Sequence, residues 1–143
     1  KDLSFGVISF YKAQADLIRK QLRNIADDDK KLRVGTVDSF QGMEFDVVFL
    51  SMVRTMPNRE SIEACKRRVI SKGETWSDTK EAQFCFGHLC LYNRLNVSMS
   101  RQKKLLVVVG DTGALQNQLA EDFVPGLVDF HQLCQREGVV LPC

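Results

Sequence analysis

Three short stretches hold most of the residues whose types and spacing suit chemistry. In Asn93-Arg94-Leu95-Asn96-Val97-Ser98-Met99-Ser100-Arg101-Gln102-Lys103, a helix turning about 100° per residue puts Arg94, Ser98 and Arg101 within about 60° of one another. An apolar stripe of Leu91, Leu95 and Met99 runs beside them. Planar guanidinium groups with five donors are what an enzyme uses to neutralise a transferring phosphoryl group, although a row of surface arginines can equally be solvated charge. The second stretch, Val34 to Asp46, packs Gly35, Thr36, Asp38, Ser39, Gln41, Gly42 and Glu44 around Phe40. Thr36, Ser39 and the backbone near Gly42 offer donors to phosphate oxygens, and Glu44 can accept hydrogen bonds from a sugar hydroxyl; the plainer reading is a polar loop held by its own side-chain turns. The third, Ile8 to Gln14, delivers an aromatic, Tyr11, and an amide, Gln14, at a strand end, where Tyr11 could also simply cap the core.

The elements that must position these groups alternate. Phe5 to Phe10 reads as a buried parallel strand. From Lys12 a helix follows, with Leu17, Ile18, Leu22 and Ile25 as its apolar face and Asp27-Asp28-Asp29 as its end. Lys31 to Val37 and Asp46 to Val53 read as two interior strands on either side of the polar segment Asp38 to Glu44. Met56 to Gln83 changes composition and reads as an exposed insertion, at 56–84, containing one helix with Ile62, Cys65 and Val69 on its apolar side and a basic cluster Lys66-Arg67-Arg68. That cluster could touch nucleic acid, but a solvated helix face is the plainer account. Leu89 to Arg101 then reads as a helix, Lys103 to Val109 as a strand and Gly110-Asp111 as a turn. Leu115, Leu119 and Phe123 form a further helical stripe broken by Pro125-Gly126, and Leu127, Phe130 and Cys134 another, stopped by Gly138 before a short strand Val139 to Leu141. Strands alternating with helices predict an α/β fold with a mainly parallel central sheet and helices on both faces, in which ligands gather beyond the carboxyl ends of the strands.

Bulk properties exclude little but set limits. At 143 residues the chain can bury about 70% of the surface its unfolded form exposes. An apolar fraction of 44% and a charged fraction of 27% are those of a globular protein. Apolar runs such as Val47 to Leu50 fall far short of the roughly 20 residues of a membrane-spanning helix, so no membrane partner is expected. Lys1-Asp2-Leu3 lacks the pattern of a secretory signal and reads as a boundary within a longer chain. The net charge of +2 is too small to announce a polyanionic partner, so any such partner must be read by local groups. The five cysteines are odd in number and never spaced C-x-x-C, which fits a reducing, intracellular compartment. Cys85, His88 and Cys90 with His131 and Cys134 could in principle supply four zinc ligands, but they lack tight paired spacing, so small buried thiols and no metal site are expected.

The ordered succession V-G-T-V-D-S-F-Q-G-M-E-F-D-V-V, R-L-N-V-S-M-S-R and V-V-V-G-D resembles motifs V and VI of superfamily 1 helicases of the senataxin and nonsense-mediated-decay type. Ile8 to Gln14 is similar to their motif IV, written I-T-P-Y-x-x-Q. The likeness covers residues 5 to 55 and 86 to 111. It departs at Ser9-Phe10, where Thr-Pro is common, at Ser98-Met99-Ser100, where Ala-Leu-Thr is usual, and at Gln102; each change keeps size or a hydroxyl.

The resemblance implies that residues 1–143 are the second RecA-like domain of such a motor, a three-layer fold of the P-loop NTPase kind. It implies Arg101 as an arginine finger on the γ-phosphate of ATP, with Arg94 supporting it. Tyr11 and Gln14 would lie near the adenine, Glu44 at the ribose, and Gln41 and Gly42 would couple the nucleotide to the strand track. Ser9, Thr36 and Ser39 would contact the backbone of single-stranded RNA or DNA. No G-x-x-x-x-G-K-S/T and no acidic Walker B pair occurs. ATP and Mg2+ would therefore be held mainly by a first RecA-like domain of the same polypeptide, in the cytoplasm or nucleus, and the isolated chain would be inactive. Two other readings stay open: a non-catalytic nucleic-acid-binding or scaffold domain of helicase descent, and an unrelated doubly wound domain in which Arg94 and Arg101 have no role.

Overall fold

The computed structural model describes residues 3–23, 25 and 31–142; the expected helix end at Asp27-Asp28-Asp29 lies outside them. Short β-branched runs become strands, and the backbone needs of the strands set their neighbours. β1 (Phe5–Ser9) is followed by α1 (Lys12–Gln21), β2 (Leu32–Thr36) and β3 (Phe45–Ser51). After a long excursion come α4 (Tyr92–Met99) and β4 (Gln102–Val109), with α2 (Arg59–Ser71) and α3 (Asp78–Phe86) between, and α5 (Gln118–Phe123) and α6 (Pro125–Glu137) close the order. The four strands form one parallel sheet in the order β2-β1-β3-β4. The fold is α/β of the RecA-like type.

The chain divides into two compact units, one of residues 1–53 and 91–110 and the other of residues 54–90 and 111–143. The first holds the sheet, α1 and α4. Ile8, Val48 and Leu50 are fully buried in its two central strands, as expected for parallel strands covered by other elements. α1 packs on β1 and β2 through Ala15, with Ile18 and Leu22 half-buried, while Leu17 and Ile25 are exposed. The expected stripe therefore rotates toward Ala15, because a small residue lets the helix backbone approach the sheet.

Two other expectations change here. β2 is an edge strand, not an interior one, since β3 pairs on the far side of β1. The helix expected over Leu89 to Arg101 is shorter, Tyr92–Met99, preceded by a 3-10 turn Gly87–Cys90. Its end is set by β4, whose first residue Gln102 is already in register with Phe45.

The second unit is helical. α2 is capped by the Asn58 side chain, which accepts from the Ser61 N–H, and Gly73, at φ 77°, closes its other end. Where one helix was expected between Met56 and Gln83 there are two, because Gly73 stops α2 and Ser77 opens α3 by accepting from the Lys80 N–H. α3 buries Ala82, Cys85 and Phe86, so the exposed part of the insertion is α2. Pro125 sits at the start of α6, where its missing N–H costs nothing. Val139 to Leu141 forms no strand and is exposed.

Candidate functional site

The polar stretch after β2 is held from beneath by aromatics. A 3-10 turn, Val37–Phe40, buries Val37 and Phe40. The Phe40 ring fits because two strands present glycine below it. A Cβ on Gly35 would sit 2.7 Å from that ring, and one on Gly6 would sit 2.8 Å from Phe45 and 3.2 Å from Phe40. The two rings pack 5.2 Å apart at 49°. With its apolar residues pinned to the sheet, the segment pushes its polar ones outward: Asp38, Ser39, Gln41, Gly42 and Glu44 are exposed. Ser39 donates from its hydroxyl to the Thr36 carbonyl at 2.7 Å, and the Met43 N–H reaches the Phe40 carbonyl at 3.1 Å. Gly42 adopts φ 77°, a left-handed conformation that a side chain would strain, with open space where a Cβ would stand.

α4 lies along this segment and carries the cations to it. Arg94, in its first turn, donates to the Asp38 carboxylate at 2.8 Å. Arg101 follows the end of the helix. Its Nε donates to the Val97 carbonyl at 3.0 Å, Nη1 to the Met43 carbonyl at 3.4 Å and Nη2 to the Ser100 hydroxyl at 3.1 Å. The Arg101 carbonyl in turn accepts from the Phe45 N–H at 2.9 Å. Both arginines thus meet the 37–44 segment, at its two ends. The helical wheel that placed Arg94, Ser98 and Arg101 on one edge does not apply, because α4 ends at Met99; Ser98 is fully buried and donates to the Leu95 carbonyl at 2.7 Å.

The groups do not all lie beyond the carboxyl ends of the strands. Ser9 ends β1 and Thr36 ends β2, but Glu44 and Arg101 precede β3 and β4 and sit at the amino ends, where Glu44 pairs with Lys103 at 3.5 Å. The 37–44 segment spans the sheet from one end to the other. Tyr11, half-buried, follows β1 and caps α1 through its backbone carbonyl, which accepts from the Ala15 N–H at 3.0 Å; Gln14, also half-buried, is one turn on. β1 connects to β2 on one side and β3 leads to β4 on the other, so Tyr11 stands at the switch point of the sheet, where open α/β folds bind ligands. Ser9 is fully buried, and its hydroxyl accepts from the Tyr11 N–H at 3.3 Å. Its side chain closes the strand end and has no surface to offer a strand of nucleic acid.

Four residues outside the expected set, Asp38, Ser4, Asp46 and Lys104, make further polar contacts in this unit. Asp38 receives Arg94. Ser4 and Asp46 clasp one another: the Ser4 N–H and hydroxyl both donate to the Asp46 carboxylate at 3.0 Å, and the Asp46 N–H donates back to the Ser4 hydroxyl at 3.0 Å. Lys104 lies 2.9 Å from the same carboxylate. The Ser4 N–H, then Lys104 and the Ser4 hydroxyl, hold the Asp46 carboxyl well below the usual carboxylate range. The motif residues Asp38 and Asp46 stand in plain view in the sequence, but nothing local pairs them with Arg94 or Ser4.

Among the described residues no group of three or more His, Cys, Asp or Glu side chains could hold a metal ion. Burial pushes the Cys85 thiol up to about 11, with Glu81 adding to it, and burial also raises Cys90. Both effects keep a proton on sulfur. No helix among the described residues is long and apolar enough to cross a membrane.

Residues 1–113 match the family described as an AAA domain. RNA helicase Mov10l1 of Homo sapiens is 32% identical over 110 residues, 77% of this chain. DNA polymerase alpha-associated DNA helicase A of Saccharomyces cerevisiae is 35% identical over 116 residues, 79% of this chain. Probable helicase senataxin of Homo sapiens is 32% identical over 130 residues, 85% of this chain. The chain spans only 7%, 13% and 4% of the lengths of these relatives. A parallel α/β sheet, the match over residues 1–113 and relatives that are helicases lead to one conclusion: this chain belongs to the AAA-domain family and is a helicase-type domain.

Proposed function

We propose that the chain is the second RecA-like motor domain of an ATP-dependent superfamily 1 helicase of the senataxin and nonsense-mediated-decay type. One observation carries the reading: Arg94 and Arg101, seven positions apart, reach the two ends of a single polar segment, at Asp38 and at the Met43 carbonyl. Arg101 engages donors with neutral oxygens only, and a phosphoryl oxygen is a stronger acceptor for them. When a first RecA-like domain presents ATP with Mg2+, Arg101 exchanges those partners for the γ-phosphate, and Arg94 keeps α4 seated on the segment. Tyr11 and Gln14 lie near the adenine and Glu44 at the ribose, while Gln41 and Gly42 pass the nucleotide state to the strand track. Thr36 and Ser39 contact the backbone of single-stranded RNA or DNA, and Ser9 supports them from inside the strand end. With no phosphate loop of its own, the isolated chain turns over no ATP. The odd, unpaired pattern of thiols supports an intracellular setting.

The test is Arg101→Ala in the complete polypeptide, assayed for nucleic-acid-stimulated ATP turnover. An arginine finger is worth about 10³ to 10⁵ in rate, so turnover is expected to collapse while the melting temperature holds. Turnover near that of the unaltered protein overturns the finger.

A further inference from the structure

α2 is a helix with one side half-buried and no residue fully buried, yet Asn58 caps one end and Gly73 closes the other. Its stability comes from its own ends and from a half-buried side of Ile62, Cys65, Lys66 and Val69. On a wheel of about 100° per residue, Arg67 and Arg68 point away from that side and Lys66 lies at its margin.

Its acids, Glu60 and Glu63, lie in the first half, Glu63 one turn before Arg67, and its second half is one-signed. Residues 64–72 contain Lys66, Arg67, Arg68 and Lys72 and no acid. The next acid along the chain, Glu74, is engaged by Lys80, which holds its carboxyl below the ordinary value. Among the described residues no ion pair forms to Lys66, Arg67 or Arg68. A cluster at a helix C-terminus is favoured by the helix dipole, but that needs one cation, and Arg68 alone lies in the last turn.

We infer that the C-terminal half of α2 is a second nucleic-acid contact, in which Lys66, Arg67 and Arg68 bind the phosphodiester backbone of a strand outside the motif segments. The inference rests on the helicase reading, which supplies the polyanion. Two exposed arginine forks and a half-buried lysine at consecutive positions, fanned about 100° apart around the helix, match phosphates without reading bases, so the contact adds affinity and not sequence preference. A membrane surface is the poorer fit, since α2 presents no exposed aromatic, its apolar residues Ile62, Cys65 and Val69 are partly covered, and Ile70 is its single exposed large apolar side chain.

The experiment compares the complete polypeptide with its K66Q/R67Q/R68Q variant, titrating a labelled 20-nucleotide oligouridylate or oligothymidylate across a salt series. Glutamine keeps helix propensity, and K66R/R67K/R68K keeps the charge. The glutamine variant is expected to bind about tenfold more weakly, with a log–log salt slope about 2 units shallower, about 0.7 for each lost contact. The single variants R67Q and R68Q should each lose about one third of that, the charge-keeping variant should bind normally, and ATP turnover without nucleic acid should not change. An unchanged affinity and slope overturn the inference, as does loss of binding in the charge-keeping variant. A defect seen only with phosphatidylserine vesicles also overturns it. Failure of the unaltered polypeptide to bind either oligonucleotide overturns the helicase reading itself, and so is distinct from failure of the α2 contact.

Discussion

The guanidinium of Arg94 and the carboxylate of Asp38 lie 2.8 Å apart although 56 positions separate them in the chain. The pair fastens the first turn of α4 to the 3-10 turn that follows β2. Its side chains are 35% and 65% exposed, so solvent screens the attraction and its worth to stability is under about 1 kcal/mol. A double-mutant cycle with Asp38→Asn and Arg94→Gln, followed by denaturant unfolding, should return a coupling within that limit. Turnover should separate the two: Arg94→Gln in the complete polypeptide is expected to lose at least about tenfold in stimulated ATP turnover, the scale of one charge-assisted hydrogen bond, and Asp38→Asn distinctly less. Equal losses would make Arg94 a mere partner of Asp38.

The seat of Phe40 makes a second prediction. Gly35→Ala would drive a methyl to within 2.7 Å of the Phe40 ring; overpacking of this kind costs about 1–3 kcal/mol. Phe40→Ala empties a fully buried site and should cost about 3–5 kcal/mol. The Gly35→Ala, Phe40→Ala double variant should lose less than the sum of the two single losses, because the methyl then enters space the ring has left and only its close approach to the Ser39 hydroxyl remains. Urea unfolding of the four proteins measures this, and full additivity would contradict the packing described.

Asp46 gives the pH dependence. Its folded-state carboxyl is held below its unfolded value of about 3.9, so the unfolded chain binds the proton more readily. The stabilisation is therefore complete above about pH 5 and is lost as pH falls through the folded value, below 3.9. Asp46→Asn removes the charge that Ser4 and Lys104 hold. The gap in melting temperature between the two proteins should be widest near pH 7 and narrow steadily between about pH 4.5 and pH 3; a constant gap would assign the effect to shape and not to charge.

Several features were legible locally because short-range physics decides them. The β-branched run Phe5 to Ser9, the apolar Phe45 to Ser51 and the helical spacing after Lys12 each carry their own periodicity, and the alternation they make leads to a parallel α/β sheet. The motif segments, read in order, pointed to the helicase family that the relatives show. Every expected site residue falls in the one unit that holds the sheet.

What the tertiary structure alone decided involves partners far apart in the chain. Whether β2 lies inside the sheet or at its edge depends on which side of β1 the chain next chooses, and no residue of β2 encodes that. The extent of α4 depends on Gln102 entering register with Phe45, which takes Arg101 off the helix and turns it onto the Met43 carbonyl. The close approach of Phe40 to the glycines at 6 and 35 and the closing of the strand end over Ser9, expected as a surface donor, are likewise set by tertiary packing. Periodicity reports which face of an element is apolar, but contacts between elements are set by packing against neighbours that only the folded chain brings near.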